Sequence, residues 1–142
     1  MSIFVVDASV VVKWFVPEIH SEAARRLLTS PHEYVAPDLL LAETANTIWK
    51  KIRRKELKLE EGRRLVADIG RSAVETVSCR ALAGDAHALA NATGQTVYDA
   101  LYVALAVRLN TRLITADDRL AGALGNVPAL RGHVQLVDAF RG

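Results

Sequence analysis

Short apolar runs rich in β-branched residues alternate with longer helical patterns along the whole chain, which restricts it to an α/β architecture. Ile3-Phe4-Val5-Val6 is too short for a helix and carries no polar alternation, the pattern of a strand buried on both faces. It is expected to be the first and central strand. Similar short runs stand at Tyr34-Val35-Ala36, at Glu75-Thr76-Val77, from Arg112 to Thr115 and from Val134 to Val137. Between them the pattern predicts helices from Ala8 to Phe15 and from Ser21, a candidate N-cap, through Ser30. A long helix follows from Asp38, another candidate cap, to about Lys55, with Leu41, Ala45, Ile48, Trp49 and Ile52 as its apolar stripe. Further helices are expected from Glu60 to Ile69, from Arg80 to Asn91 with Gly94 as a stop signal, from Asp99 to Leu109, and near Asp118 to Ala123. Parallel strands need crossover connections, so the alternation predicts a three-layer α/β/α sandwich around a mostly parallel sheet of four or five strands. At 142 residues the chain is read as one domain, 1–142, with 51% hydrophobic residues to fill its core.

The formal net charge is +2, which permits a nucleic-acid partner without requiring one. Cys79 is the only cysteine, which excludes an intrachain disulfide and a cysteine-based zinc site, and a reducing, cytoplasmic setting is expected. The stretch from Ile3 to Val16 is apolar, but Asp7 and Lys13 interrupt it and no basic segment precedes it, so it reads as strand and helix rather than as a membrane or signal segment.

Four acidic residues stand where such a fold could gather them. Asp7 and Asp117 each follow a predicted strand, at the carboxyl edge where open parallel sheets form their sites. Either could equally be an ordinary helix N-cap, worth about 1 kcal/mol. Asp99 opens a run that is apolar almost all round, so its helix is expected to be buried with an electropositive N-terminus near the core edge; it too could be only a cap. Glu43 would by default lie on a solvated helix face, yet its neighbours at helical spacing are Leu39, Leu40 and Asn46, a mixed setting that suits a partly enclosed polar pocket. Clustered carboxylates repel one another and raise each other's pKa. A hard divalent cation such as Mg²⁺ or Mn²⁺ removes that repulsion and brings phosphodiester chemistry with it.

The segments Val5-Val6-Asp7-Ala8-Ser9, Pro37-Asp38-Leu39-Leu40-Leu41-Ala42-Glu43-Thr44-Ala45-Asn46, Val97-Tyr98-Asp99-Ala100-Leu101-Tyr102-Val103-Ala104-Leu105-Ala106 and Leu113-Ile114-Thr115-Ala116-Asp117, in that order, resemble the PIN domain family. More narrowly they resemble its VapC branch, the toxin ribonucleases of toxin–antitoxin pairs. The resemblance covers nearly the whole chain. It implies a PIN-like fold and a Mg²⁺- or Mn²⁺-dependent endoribonuclease that hydrolyses RNA by a metal-activated water. Asp7, Glu43, Asp99 and Asp117 fall on the family's acidic positions as metal-holding and catalytic residues, with Ser9, Thr115 and Asn46 supporting them. Asp118 could assist through water, or cap the helix that follows. The resemblance further implies a homodimer, a VapB-type antitoxin occupying the active-site groove, and contact with operator DNA only through that antitoxin.

RNA is held mainly through its phosphates, for which Lys13 and Arg119, close in sequence to the acidic residues, are candidates. Lys50 and Arg53 are candidates too, although cations at a helix C-terminus also serve simply to offset the helix dipole. His20, His32, His87 and His133 are scattered and suggest no metal-free mechanism, while Trp14, Phe15 and Trp49 read as core residues. Two other functions compete. A phosphoacceptor signalling domain would want an acidic pair after the first strand and a lysine after the last, whereas this chain has a single Asp7 and no lysine beyond Lys58. A catalytically inert PIN-like binding module would be favoured by loss of a carboxylate, but all four acidic positions are filled.

Overall fold

The computed structural model describes residues 1–141. Five parallel strands form one sheet: β1 (Ile3–Val6), β2 (Glu33–Pro37), β3 (Glu75–Val77), β4 (Leu113–Thr115) and β5 (Val134–Leu136). Their order across the sheet is β3-β2-β1-β4-β5. The chain therefore builds outward from β1 in one direction, then crosses back to build in the other. β1 is central, and its Phe4, Val5 and Val6 are all buried, so both faces of the strand are covered.

Seven α-helices make the crossovers among the described residues: α1 (Ala8–Phe15), α2 (Ser21–Arg26), α3 (Leu39–Arg53), α4 (Leu59–Gly70), α5 (Cys79–Thr93), α6 (Val97–Arg108) and α7 (Asp118–Gly125). α6 is buried along Ala100 to Ala106 and packs on β1, β2 and β4. The ring of Trp14 on α1 meets Tyr34 of β2 edge-on at 6.0 Å. The indole N–H of Trp14 donates to the Ala24 carbonyl (2.8 Å) and the Tyr34 hydroxyl to that of Leu27 (2.8 Å), so these large buried rings carry no unpaired polar atom.

Several local expectations are corrected. Ser21 does not cap α2, because its hydroxyl accepts from the Glu18 N–H and donates to the Val16 carbonyl, closing the turn that carries Pro17. His20 takes the cap position in a left-handed conformation, and α2 ends at Arg26 with a 3-10 turn over Leu27–Thr29. Asp38 precedes α3 but caps nothing there; its Oδ1 accepts from the Cys79 N–H (3.0 Å) and so joins the start of α3 to that of α5. On α3 the buried side chains are Leu40, Thr44 and Ile48, which rotates the core stripe by about one residue and leaves Leu41 and Trp49 exposed, Trp49 at 53%. Thr44 is tolerated inside because its hydroxyl donates to the Leu40 carbonyl (2.8 Å). No helix of the described residues is long and apolar enough to cross a membrane.

α4 packs on α3 where Gly62 faces Ile52 and Ile48, and a Cβ at that position would lie 2.3 Å from Ile52 Cδ1 and 3.2 Å from Ile48 Cγ2. Gly62→Ala is therefore expected to lower stability by about 1–2 kcal/mol in urea denaturation, overpacking outweighing alanine's helix preference. Gly84, in the middle of α5, meets nothing within 4 Å, and Gly84→Ala is expected to raise stability by about 0.5–1 kcal/mol. Equal effects of the two substitutions would contradict the packing described between α3 and α4.

Candidate active site

The sheet reverses its direction of growth between β1 and β4, which are in register as Val5 with Leu113 and Val6 with Ile114. A crevice opens at such a switch point, outside the carboxyl ends of the two strands. Asp7 and Asp117 leave those ends. Each is also the N-cap of its helix: Asp7 Oδ1 accepts from the Val10 N–H (3.3 Å) and Asp117 Oδ1 from the Leu120 N–H (3.1 Å). Capping uses Oδ1 of each carboxylate, so a cap and a candidate site residue are here the same side chain.

Asp7 is buried and is held from three directions. Ser9 Oγ donates to its Oδ1 (2.5 Å), and the Thr115 hydroxyl, fully buried on β4, donates to its Oδ2. Ser9 Oγ in turn accepts from the Ala116 N–H (2.9 Å), and Thr115 Oγ1 from the Asp117 N–H (3.1 Å). Burial pushes the Asp7 carboxyl up to about 6, against the opposing pull of the hydrogen bonds from Ser9, Thr115 and Val10, and the charge of Glu43 adds to the rise.

Glu43 projects from the second turn of α3 and is half-buried. Burial raises its pKa, the hydrogen bond from Tyr102 opposes the rise, and the charge of Asp99 adds to it. Asp99 lies in the first turn of α6 and is not its cap, because α6 begins at Val97 with Thr96 as N-cap; the Thr96 hydroxyl accepts from the Asp99 N–H (3.1 Å). Arg119, in the first turn of α7, reaches both remaining carboxylates, at 3.5 Å from Asp99 and 3.8 Å from Asp117, and donates to Gln95 Oε1 (3.3 Å). The four carboxylates thus form a row in which the charge of Glu43 acts on Asp7 and that of Asp99 on Glu43, with the Arg119 guanidinium between Asp99 and Asp117.

Other sequence-predicted residues sit differently. Asp118 follows the cap of α7 instead of forming it and is exposed in the first turn, since Asp117 performs the capping. Asn46 is exposed one helical turn beyond Glu43. Lys13, a candidate for RNA contact, is buried and paired with Glu18 (3.0 Å), which also binds Lys51 (2.7 Å). Burial alone would raise the Glu18 pKa, but its bonds to Lys51 and Lys13 outweigh that and hold it below the usual range. Lys50 and Arg53 are exposed toward the far end of α3, and Arg53 lies over the Trp49 ring at 5.1 Å. Lys50 is seven residues past Glu43, about 10 Å along the helix axis.

Tyr102 and Gln95 are the site residues that sequence reasoning missed. Tyr102 lies three residues after Asp99, a spacing that places both on one helix face and was the available signal. Two concavities lie elsewhere, a cavity of about 410 Å³ bordered by Trp14, Leu28, Tyr34 and Val74 and another of about 650 Å³ bordered by Ile3, Phe4 and Arg112; neither is lined by the four carboxylates.

The donor chemistry suits a hard, oxygen-seeking cation: carboxylates only, mutually repelling, with hydroxyls anchoring the most buried one. Among the described residues no three His, Cys, Asp or Glu side chains already converge as a ligand shell. Arg119 instead supplies positive charge between Asp99 and Asp117.

The PIN domain family model matches residues 4–123. Ribonuclease VapC3 of Pyrobaculum aerophilum is 40% identical over 119 residues, a match covering 82% of this chain and 91% of that protein. Among solved structures, PAE2754 of Pyrobaculum aerophilum is similar at a TM-score of 0.68 and 21% identity, covering 95% of this chain and 83% of that one. A toxin–antitoxin complex from Klebsiella pneumoniae is similar at a TM-score of 0.65 and 13% identity, covering 94% of this chain and 97% of that one. At these identities the structural likenesses speak to the fold, whereas the family match and the ribonuclease relative speak to descent. With its parallel five-stranded sheet and this match over most of its length, the chain belongs to the PIN domain family.

Proposed function

We propose that this protein is a Mg²⁺- or Mn²⁺-dependent endoribonuclease and the toxin of a toxin–antitoxin pair. The observation that carries the reading is the row of four carboxylates at the β1/β4 switch point, in a homologue of a VapC ribonuclease. Asp7, Glu43, Asp99 and Asp117 would hold the cation. When bound, such a cation polarises a phosphodiester and brings the pKa of a water toward neutrality. Ser9 and Thr115 keep Asp7 from turning away, using hydrogen bonds that favour its ionised form. Among the described residues no hydrogen bond reaches Glu43 Oε2, which leaves that oxygen to orient a water or accept its proton. Arg119 is the cation best placed to meet the RNA phosphate, since it already stands at the mouth of the row.

The toxin–antitoxin complex among the structural relatives supports an antitoxin of VapB type as partner. An apolar groove between α3 and α4, lined by Ala45, Ile48, Trp49, Ile52 and Val66, supports association with a partner or with a second copy as a homodimer. Operator DNA would then be met only through the antitoxin, and the setting would be cytoplasmic.

Purified free of antitoxin, the protein is expected to cleave RNA only when Mg²⁺ or Mn²⁺ is added. Asp7→Asn and Asp99→Asn are expected to reduce cleavage at least about 100-fold with unchanged circular dichroism. Metal-independent cutting, or variants that cut normally, would overturn the assignment; a folded wild type that cuts no cellular RNA would favour an inert binding module.

Asp7 also predicts a pH signature in the metal-free protein. Its folded pKa of about 6 lies above its ordinary 3.8, so the folded state binds the proton more tightly and stability is lost as pH rises between those values. Asp7→Asn removes that loss. Urea denaturation at pH 7 should find the variant more stable by about 1–3 kcal/mol, with the difference vanishing toward pH 4, and added Mg²⁺ should raise the melting temperature of the wild type more than that of the variant.

Lys13 and Arg119 should separate cleanly. Arg119→Gln is expected to weaken binding to a non-cleaved RNA several-fold and to reduce its salt dependence by about one ion, whereas Lys13→Met is expected to leave RNA affinity unchanged. The reverse pattern in a filter-binding titration across salt concentrations would show that burial of Lys13 does not remove it from RNA contact.

A further inference from the structure

Tyr102 is 2% exposed on the helix that presents Asp99, so its hydroxyl is a polar atom that packing withholds from bulk water. A buried hydroxyl without a partner costs on the order of 1–3 kcal/mol, so its choice of partner is informative. The Tyr102 hydroxyl donates its single proton to Glu43 Oε1 at 2.5 Å, across 59 positions of sequence and from α6 to α3. Thr44 and Thr47, the hydroxyls next to Glu43 on α3, are both committed to main-chain carbonyls of their own helix. Tyr102 is thus the side chain that fixes the Glu43 carboxylate.

Glu43 needs fixing. The charges of Asp7 and Asp99 both bear on this part of the site, and an unanchored glutamate with several rotatable bonds would relieve the repulsion by turning toward solvent. A phenol is suited to hold it, since its rigid ring is locked by packing. Burial, together with the hydrogen bond and charge of Glu43, keeps the phenol protonated and therefore a donor.

Resting on the metal-nuclease reading above, we infer that Tyr102 is a positioning residue that holds Glu43 Oε1 and thereby turns Oε2 toward Asp7 and Asp99 for the cation. The hydrogen bond makes one helix, α6, responsible for two carboxylates: it carries Asp99 directly and sets Glu43 through Tyr102. This is the role of an outer-shell partner, whose loss in metalloproteins typically costs 10- to 100-fold in metal affinity.

The experiment is a Mn²⁺ titration of the antitoxin-free protein, followed by the electron paramagnetic resonance of free Mn²⁺, for the wild type, Tyr102→Phe, Glu43→Gln and the double variant. Tyr102→Phe keeps every packed carbon and should melt within a few degrees of the wild type. Its Mn²⁺ affinity is expected to fall about 10-fold, and the double variant is expected to bind no more weakly than Glu43→Gln alone, since without the carboxylate the hydroxyl has nothing to position. Wild-type affinity in Tyr102→Phe, or losses that multiply in the double variant, would overturn the role of Tyr102 while leaving the nuclease reading intact. A wild type that binds no Mn²⁺ would instead overturn the metal reading, and this inference with it.

Discussion

Asp7 can sit buried at the end of the central strand because two hydroxyls and a helix N-terminus receive it. Ser9 donates to one oxygen, Thr115 to the other, and the Val10 N–H completes the set. These bonds are also the joint between β1 and β4, the two strands that flank the reversal of the sheet. The joint continues through Ser9 to the Ala116 N–H and through Thr115 to the Asp117 N–H, so the direction in which the chain leaves β4 is set by the same side chains that hold Asp7. The position of Asp117, and with it the start of α7 and of Arg119, follows from that joint.

Electrostatics then orders the rest of the crevice. Burial raises the proton affinity of Asp7 and Glu43, the charge of Glu43 adds to the first and that of Asp99 to the second, and each of the three carboxylates is restrained by a different device: hydroxyls for Asp7, a phenol for Glu43, and placement in the first turn of a buried helix for Asp99. Arg119 lowers the cost of the assembly at its open end, where exposure keeps such pairs weak and exchangeable.

Much of the architecture was legible along the chain. The β-branched run of β1, the strand–helix alternation and the stop at Gly94 reflect local sterics and burial periodicity, which act over a few residues. The misplaced details share a cause. Ser21, Asp38 and Asp118 are all side chains that cap helices in many settings, yet two of them are taken by partners outside their own helix and the third is displaced by its neighbour Asp117. The spacing of Trp49 predicts a core residue, but the buried stripe of α3 runs through Leu40, Thr44 and Ile48, and which face is buried depends on where α4 and α1 press. Lys13 was close to Asp7 in sequence, but two turns of helix carried it into an ion pair with Glu18.

By itself the sequence determined the class of fold and where along its strands and helices the four acidic residues stand, because strand and helix periodicity are encoded locally. Only the tertiary structure decided which of the remaining polar groups serve those carboxylates. Thr115 meets Asp7 across 108 positions, Tyr102 meets Glu43 across 59, and Arg119 joins Asp99 to Asp117. A buried carboxylate takes whatever donor the packing of distant elements brings within hydrogen-bond reach, and that proximity is a property of the sheet order and helix packing, not of neighbouring residues.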